Sequence, residues 1–242
     1  MQIAKSKLIY KDKEGAEMHG WLFVPEGSGK LPGVLVHHAF QGVTDYEIGR
    51  AEQIAKLGYV TLAADVYGEG KVGATKEESF AILAKLRELR TTTLKWRLEA
   101  AVENIKKQDR VDPNKIAAIG YCFGGMCSID IARYNIPGVQ CVVSFHGTLQ
   151  PLPDTPLDHT EAAIMVHHGD EDDHINPQVQ SFMEEMRTRK ADFCFTSHGN
   201  AKHCFTEPHA AVFNNPNAAY NKEADARSFA SMVALFEEKL KQ

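Results

Sequence analysis

The chain has 242 residues, of which 43% are hydrophobic and 24% are charged, and its formal net charge is −5. This composition is that of an ordinary globular protein and excludes a disordered or fibrous chain. The charge is spread without basic blocks, and no apolar run approaches the roughly 18 residues of a membrane span, so neither nucleic acid nor membrane is an expected partner.

Cysteine usage indicates the cellular compartment. The five cysteines lie at positions 122, 127, 141, 194 and 204, and no two of them form a C-x-x-C pair. An odd number at irregular spacing argues against a disulfide framework or a zinc knuckle, and the N-terminus lacks the continuous apolar stretch of a signal peptide. We therefore expect a cytoplasmic location and a single domain over residues 1–242, since a chain of this length can bury a sufficient core without covalent links.

Apolar runs of strand length, each bounded by Gly, Pro or Asp, alternate along the chain with helical patterns. The predicted strands are Gly20–Val24, Gly33–His37, Tyr59–Ala64, Lys115–Ile119, Val139–Phe145, Ala162–His168 and Asp192–Thr196. Such alternation predicts an α/β protein with a mostly parallel central sheet and helices on both faces. Ligands of such folds gather at the carboxyl ends of the strands, so we expect the functional site there.

Capping patterns mark where several helices begin. Thr44 and Thr75 are each followed three residues later by glutamate, which is the capping-box pattern. Asn176 stands before a proline and is predicted to be the N-cap of a helix of about a dozen residues. The last helix is amphipathic and is predicted over about residues 222–241, while the proline-rich stretch 150–160 is predicted to be a surface loop.

The sharpest motif is KIAAIGYCFGGMC at residues 115–127, in which an apolar strand runs into Gly-x-Cys-x-Gly-Gly and then into a helical pattern. This is the nucleophile elbow of hydrolases, with Cys122 in the nucleophile position. Gly120 and Gly124 remove side chains that would collide within the turn. Cys122 also stands at the N-terminus of the helix, whose partial positive charge favours the thiolate.

A cysteine nucleophile needs a base, and the base needs an orienting acid, in the chain order nucleophile, acid, base. Asp172 lies in the loop GDEDDHI that follows a predicted strand, and His203 lies in the polar loop after the last strand. Loops at the carboxyl edge of a sheet are suited to carrying such groups. The rivals that remain are Asp170 and Asp173 for the acid, and His198 and His209 for the base.

The motifs GYCFGG, HGDEDDHINP and AKHCF, at these separations, resemble the dienelactone hydrolase family of α/β-hydrolases from about residue 33 to the C-terminus. The resemblance implies the α/β-hydrolase fold, no cofactor, and a triad of Cys122, His203 and Asp172. It also implies an oxyanion hole made by the backbone N–H groups of Phe40 and Phe123. The expected reaction is cleavage of an ester or lactone through a covalent acyl-enzyme.

Departures from the family pattern bear on the substrate. Well-known members have a glutamate beside the oxyanion residue that controls the resting thiol, whereas this chain has Ala39, so we expect a thiolate–imidazolium pair before substrate arrives. Those members also bind a substrate carboxylate through arginines, near whose positions this chain has Ser79 and Glu207. Unless Arg87 or Arg90 compensates, we expect a neutral rather than an anionic substrate.

Four side chains are expected to line the substrate pocket: Ala39, Tyr121, His146 and Phe205. Several histidines near strand ends suggest a metal site at first sight: His37, His38, His146, His167 and His168. Adjacent residues of a strand point to opposite faces, however, so the two His-His pairs cannot each place both rings in one pocket. We therefore expect no metal.

Two alternatives to ester hydrolysis remain. The same triad could cleave activated organophosphate triesters, because an oxyanion hole can also hold a phosphoryl oxygen. In a different class, Cys122 could be oxidised to a sulfenic acid that Cys127 or Cys204 resolves, as in a thiol redox protein. In the hydrolase interpretation the partner is a small-molecule ester or lactone, and the protein is a monomer or a homodimer.

Overall fold

The computed structural model describes residues 2–153, 156 and 158–241. In this part of the chain the strands are β1 (Ile3–Lys11), β2 (Glu17–Pro25), β3 (Leu31–His37), β4 (Val60–Ala64), β5 (Val111–Tyr121), β6 (Val139–Phe145), β7 (Ala163–Gly169) and β8 (Phe193–His198). The α-helices are α1 (Asp45–Ala55), α2 (Lys76–Glu88), α3 (Lys95–Lys106), α4 (Phe123–Arg133), α5 (Asn176–Thr188) and α6 (Lys222–Leu240). A π-helical turn at Arg90–Leu94 joins α2 to α3, and a 3-10 turn lies at Ala210–Phe213.

One sheet contains the described strands in the order β1-β2-β4-β3-β5-β6-β7-β8. Strand β2 pairs antiparallel with β1 and with β4, and the pairs from β4 to β8 are parallel. The predicted mostly parallel α/β sheet is therefore confirmed. Its parallel strands all end at one edge, and the loops after β3, β5, β7 and β8 meet there.

Strand β1 was not among the predicted strands. Its sequence, IAKSKLIYK, has isolated apolar residues among lysines, and most of its side chains are exposed. It lies at the edge of the sheet, where lysine protects a free strand edge from pairing with other chains. An edge strand buries little apolar surface, so the hydrophobic pattern that marks the inner strands is absent.

Helices cover both faces of the sheet, as predicted. On one face, α1 and α6 contribute Ile54 and Phe236 to a buried cluster. On the other face, α3, α4 and α5 contribute Val102, Ile129 and Phe182 to a larger cluster. Every residue of α4 is buried, because this helix lies between the sheet and its neighbouring helices.

The first capping prediction is confirmed, and the predicted helix after the 169–175 loop is present with 13 residues, but Asn176 is not its N-cap. Thr44 and Glu47 form a complete capping box at the start of α1. Helix α5 begins at Asn176 itself with Ile175 as its N-cap residue. Oδ1 of Asn176 instead accepts a hydrogen bond from Nε2 of His168 at 2.6 Å, a tertiary partner that the local pattern did not reveal.

The second capping pattern is only half realised. Oγ1 of Thr75 accepts from the backbone N–H of Glu78 at 3.1 Å, but the Glu78 carboxylate accepts from the N–H of Ala74 rather than from that of Thr75. Helix α6 agrees with its predicted range to within one residue at its C-terminal end. None of the helices in the described ranges is both long and apolar enough to cross a membrane.

The predicted surface loop at 150–160 lies partly outside the described residues, which omit positions 154, 155 and 157. Its described ends are held by buried guanidinium groups, since Arg90 donates to the carbonyl of Pro151 at 3.0 Å and Arg189 to that of Asp158 at 3.3 Å. Both arginines belong to one buried ion network, whose members are Arg90, Asp130, Arg133, Glu185 and Arg189.

Candidate active site

Cys122 occupies the single residue between the end of β5 and the start of α4. Its backbone has φ 53° and ψ −112°, a conformation that costs a non-glycine residue on the order of 1–3 kcal/mol. The backbone N–H donates to the carbonyl of Phe145 at 3.1 Å, which ties the turn to β6. This is the predicted elbow, and the strain is placed on the residue that carries the thiol.

Two glycines make the elbow possible. A Cβ on Gly120 would overlap the backbone of Gly124, and a Cβ on Gly124 would overlap the carbonyls of His37 and His38 at the end of β3. No side chain can yield here because the obstacles are backbone atoms. The pattern Gly-x-Cys-x-Gly therefore reflects a close approach of three backbone segments beneath the thiol.

The structure brings together the three residues predicted as a triad. The Cys122 Sγ lies 3.1 Å from Nε2 of His203, and Nδ1 of the same ring lies 2.6 Å from Oδ2 of Asp172. Asp172 is fully buried in the loop between β7 and α5, while His203 is partly exposed in the loop after β8. The chain of contacts runs from thiol to imidazole to carboxylate, which is the geometry that nucleophilic catalysis requires.

The two neighbours of His203 favour the charged form of its imidazole ring. Burial opposes the charged form of His203, but the Cys122 sulfur and the Asp172 carboxylate outweigh it and raise its pKa well above the usual value. These two contacts favour the charged, doubly protonated form of the ring.

The rival acids and bases lie elsewhere. Asp170 accepts from Oγ of Ser197 at 2.9 Å, and Asp173 is exposed. Nε2 of His198 lies 3.1 Å from Nδ1 of His167, in a separate buried pair. His209 is exposed, at the wall of a neighbouring cavity.

The proposed oxyanion donors come from the loop after β3 and from the first residue of α4. The backbone N–H groups of Phe40 and Phe123 have no acceptor among the residues that the structure describes. The loop before Phe40 is held in place, since Tyr67 Oη donates to the Phe40 carbonyl at 2.7 Å and the Ala39 N–H donates to Oε1 of Glu47 at 3.0 Å. Two free and preset donors could bind a developing oxyanion.

A cavity of about 310 Å³ adjoins the oxyanion loop. Its walls include Ala39, Tyr46, Glu47, Glu207, Val212 and Phe213. Ala39, which was predicted to line the substrate pocket, lies in the wall of this cavity. Val212 and Phe80 expose apolar side chains on this part of the surface. The ring of Phe80 stacks on the ring of Phe40, with the centroids 5.1 Å apart.

The other three predicted pocket residues are in a different place. Tyr121, His146 and Phe205 are buried to 1% exposure or less, and they pack beneath the triad rather than along the open cavity. Their aromatic character reflects core packing around the elbow. The sequence identified their proximity to the site but not that they face away from solvent.

A family model described as the dienelactone hydrolase family matches residues 18–240. The chain belongs to the dienelactone hydrolase family. It is therefore a hydrolase, and its fold is the α/β-hydrolase fold.

Relatives and solved structures agree with this family. An uncharacterized protein of Caenorhabditis elegans is 44% identical over 151 residues, which cover 62% of this chain and 96% of that protein. A putative carboxymethylenebutenolidase of a Synechocystis species is 26% identical over 98% of each chain. The crystal structure of a dienelactone hydrolase-like promiscuous phosphotriesterase from metagenomic libraries superimposes with a TM-score of 0.94, at 32% identity over 99% of both chains.

Arg90 cannot replace the arginines that bind a substrate carboxylate in well-known members of the family. Its guanidinium is buried and binds both carboxylate oxygens of Asp130 in α4, at 2.6 and 2.7 Å. Arg87 donates to the side chain of Gln150 at 2.6 Å. Ser79 is buried, and its hydroxyl donates to the carbonyl of Thr75. Neither Arg87 nor Arg90 lines the cavity, so neither provides a cationic group there.

Two contributors to the site were missed by sequence reasoning. Glu47 was recognised only as a helix-capping residue, yet its second carboxylate oxygen orients the Ala39 peptide. Thr206 carried no signal, yet Oγ1 lies 2.8 Å from Nε2 of His146 and 2.6 Å from Oη of Tyr46. Both act on the site through contacts that only the folded chain creates.

One group of potential metal ligands exists in the described ranges. Donor atoms of His146, His203 and Cys204 all lie within 4.8 Å of one another. Sulfur and imidazole donors would suit a soft ion such as zinc. Both ring nitrogens of His146 and of His203 are already engaged in hydrogen bonds, so an ion here would have to displace His203 from Cys122 or Asp172.

Proposed function

We propose that this protein hydrolyses carboxylic esters or lactones through Cys122, with His203 as base and Asp172 as its orienting acid. The observation that carries the proposal is the continuous contact from Cys122 Sγ to His203 Nε2, at 3.1 Å, and from His203 Nδ1 to Asp172 Oδ2, at 2.6 Å. Catalysis of this kind needs a nucleophile and base in direct contact and a third group that fixes the ring.

In the proposed first step, the Cys122 thiolate attacks the acyl carbonyl. The N–H groups of Phe40 and Phe123 stabilise the oxyanion, and one such donor is worth about 3–4 kcal/mol in comparable enzymes. The C–O bond then breaks, and the His203 imidazolium gives its proton to the leaving alcohol. A thioester on Cys122 results.

In the second step, neutral His203 takes a proton from a water molecule, whose oxygen attacks the thioester. The acid leaves, the thiolate returns, and His203 is again protonated. Asp172 keeps the Nδ1 proton on its own side and stabilises the charged ring. No cofactor takes part in either step.

The lining of the adjoining cavity disfavours anionic substrates, as the departures from the family pattern predict. Its described walls contain the carboxylates of Glu47 and Glu207, and the arginines considered as clamps lie elsewhere. A substrate carboxylate would lose its hydration without gaining a cation, which disfavours it.

The test compares the wild type with Cys122→Ala on a series of 4-nitrophenyl esters, with mass spectrometry of the acid-quenched protein. We expect the wild type to turn over and to carry an acyl mass on Cys122, and the variant to lose both. Cys194→Ala is the matched control, because this thiol is exposed and has no contact with the triad. Equal hydrolysis by wild type and Cys122→Ala would refute the proposal.

A second candidate is supported by the structural likeness to the dienelactone hydrolase-like promiscuous phosphotriesterase. The same thiolate could attack an activated organophosphate triester and expel a nitrophenolate. Diethyl 4-nitrophenyl phosphate tests this activity directly. Release that stops after one equivalent per Cys122 would show inactivation rather than turnover and would exclude this candidate.

The redox alternative gains little support. Burial raises the pKa of Cys127 well above its usual value, and burial raises that of Cys204 to about 12 even though His203 opposes it. Both thiols are therefore protonated at neutral pH and poor at resolving a sulfenic acid. Mild peroxide should give no disulfide within the chain.

A further inference from the structure

Glu207 is a buried carboxyl group with an unused oxygen. Its side chain lies four positions after His203, the residue is 7% exposed, and Oε1 has no hydrogen-bond partner among the described residues. Other buried carboxylates, such as Asp130 and Glu185, bind arginines. A buried polar atom without a partner is unfavourable, and beside an open cavity it can be satisfied by a hydrogen-bond donor of a bound molecule.

The position of Glu207 links the cavity to the reacting atoms. It lines the cavity of about 310 Å³ together with Ala39, the residue before the oxyanion donor Phe40. The backbone N–H of Glu207 donates to the carbonyl of Cys204 at 2.9 Å, and Cys204 follows His203 directly. A substrate group held by Glu207 would therefore lie close to the acyl carbonyl.

No arginine or lysine of the described chain is ion-paired with Glu207, and the ring of His209 and the carboxylate of Asp45, on the same cavity wall, are exposed to solvent. The groups that face it are Glu47, His203, Arg50, Tyr46, Tyr121 and Cys204. Arg50 is committed to Asp225 at 2.6 Å and to the carbonyl of Thr206 at 2.8 Å, and His203 is shared between Cys122 and Asp172. Burial first, and the neighbouring Glu47 second, raise the pKa of Glu207 to about 7.

We propose that this cavity, here called the Glu207 subsite, binds a protonated amine of the substrate through Oε1 of Glu207. The inference rests on the proposed hydrolase function and adds a substrate class to it. An ammonium group would donate the hydrogen bond that Oε1 lacks, and its positive charge would balance the neighbouring carboxyl groups of Glu207 and Glu47. It also favours the ionised form of Glu207, so binding and ionisation support each other.

The first test uses three 4-nitrophenyl esters of matched length: 6-aminohexanoate, heptanoate and the monoester of hexanedioic acid. The wild type should prefer the amine to the alkyl ester by roughly tenfold in kcat/KM, as one charge-assisted hydrogen bond predicts, and should disfavour the carboxylate. Glu207→Gln keeps the shape and removes the charge. It should lower the ratio of kcat/KM for amine over alkyl ester by about tenfold.

A control variant and a pH profile separate binding at Glu207 from a general effect of negative charge near the cavity. Asp45→Asn removes an exposed carboxylate from the same cavity and should change the ratio less than twofold, because water screens an exposed charge. The amine preference of the wild type should also rise with pH as Glu207 ionises, and that rise should be absent in Glu207→Gln. An unchanged ratio in Glu207→Gln, or an equal change in Asp45→Asn, would overturn the subsite.

Failure of the proposed function can be told apart from failure of the subsite. If the heptanoate ester is not cleaved, or is cleaved equally by Cys122→Ala, the hydrolase mechanism fails. The subsite is then judged by calorimetric binding of hexylamine to Cys122→Ala and to Cys122→Ala with Glu207→Gln. Tighter binding to the first supports the subsite, and equal binding refutes it.

Discussion

The backbone N–H of Cys122 is shared between the Phe145 carbonyl, at 3.1 Å, and Nδ1 of the fully buried His146, at 3.2 Å. Burial first, and His203 second, hold the pKa of His146 well below its usual value. Because Nδ1 accepts, Nε2 carries the proton and donates to Oγ1 of Thr206 at 2.8 Å. The elbow is thus joined through two buried side chains to Tyr46 on α1.

Thr206→Val should show how much this connection contributes. The substitution leaves the Nε2–H of His146 buried without an acceptor, so the free energy of unfolding should fall by about 1–3 kcal/mol, and kcat should fall as the elbow relaxes. Thr188→Val is the control, since this exposed hydroxyl bonds only within α5, and it should change stability by less than about 0.5 kcal/mol. Urea denaturation of both variants measures the difference.

Asp172→Asn should preserve the fold and remove most of the activity. An amide can hold the ring of His203 but cannot stabilise its charged form or enforce its tautomer, and in triads this change lowers kcat by roughly 10⁴. Asp170→Asn tests the nearest rival and should retain kcat within a few-fold, because Asp170 bonds to Ser197 instead. Comparable losses in the two variants would show that Asp172 is not the orienting acid.

Gly124→Ala should destabilise the protein by about 3 kcal/mol or more, because the new methyl group meets backbone carbonyls that cannot move aside. Gly49→Ala makes the same chemical change in α1, where nothing lies within 4 Å. There it should stabilise the protein by about 0.5–1 kcal/mol through helix propensity. Thermal melting of the two variants should therefore shift in opposite directions, and a shift in the same direction would contradict the close approach.

Asp130→Asn should be among the most destabilising single changes. Asp130 is fully buried and neutralises Arg90 and Arg133, so its loss leaves buried positive charge and should cost about 3–5 kcal/mol. Glu52→Gln breaks an exposed pair with Lys56 and should cost less than about 0.5 kcal/mol. Guanidinium denaturation at matched ionic strength provides the comparison, and similar midpoints would show that the network is not needed for stability.

Two buried histidines predict a loss of stability in acid. Burial first, with His38 and His198 as the respective neighbours, lowers the pKa of both His37 and His167 to about 3. Between that value and the ordinary value of about 6.5, the unfolded chain binds protons that the folded chain excludes. The free energy of unfolding should therefore fall as pH drops below about 6.5, by on the order of 2 kcal/mol per histidine at pH 4.5.

The measurement for this prediction is the urea midpoint at neutral pH and at about pH 4.5. His167→Gln cannot titrate and should show a smaller fall than the wild type. His174→Gln alters an exposed ring and should leave the fall unchanged. The prediction is wrong if the wild type and His167→Gln lose stability equally.

Local features of the chain were readable from the sequence. The elbow at Cys122 depends on residues 120–124, whose geometry follows from a strand, a tight turn and a helix in immediate succession. The inner strands carry continuous apolar runs because both of their faces are buried. The Thr44 cap of α1 joins residues three positions apart, and this capping pattern was also recognised correctly.

The tertiary structure alone decided what each side chain faces. Strand β1 was missed because an edge strand buries little, and Asn176 was misassigned because its partner His168 comes from a different element. Whether Arg90 could act as a clamp depended on Asp130, 40 positions away. Such contacts arise from packing between distant segments, and no periodicity along the chain encodes them.

The same distinction applies to the candidate site. Sequence order, together with the family resemblance, was enough to nominate Cys122, Asp172 and His203, because each follows a recognisable strand. Only the folded chain sets His146 beneath the thiol and leaves Glu207 buried without a cation. Burial and partner choice are properties of three-dimensional packing, whereas strand and loop order are properties of the chain itself.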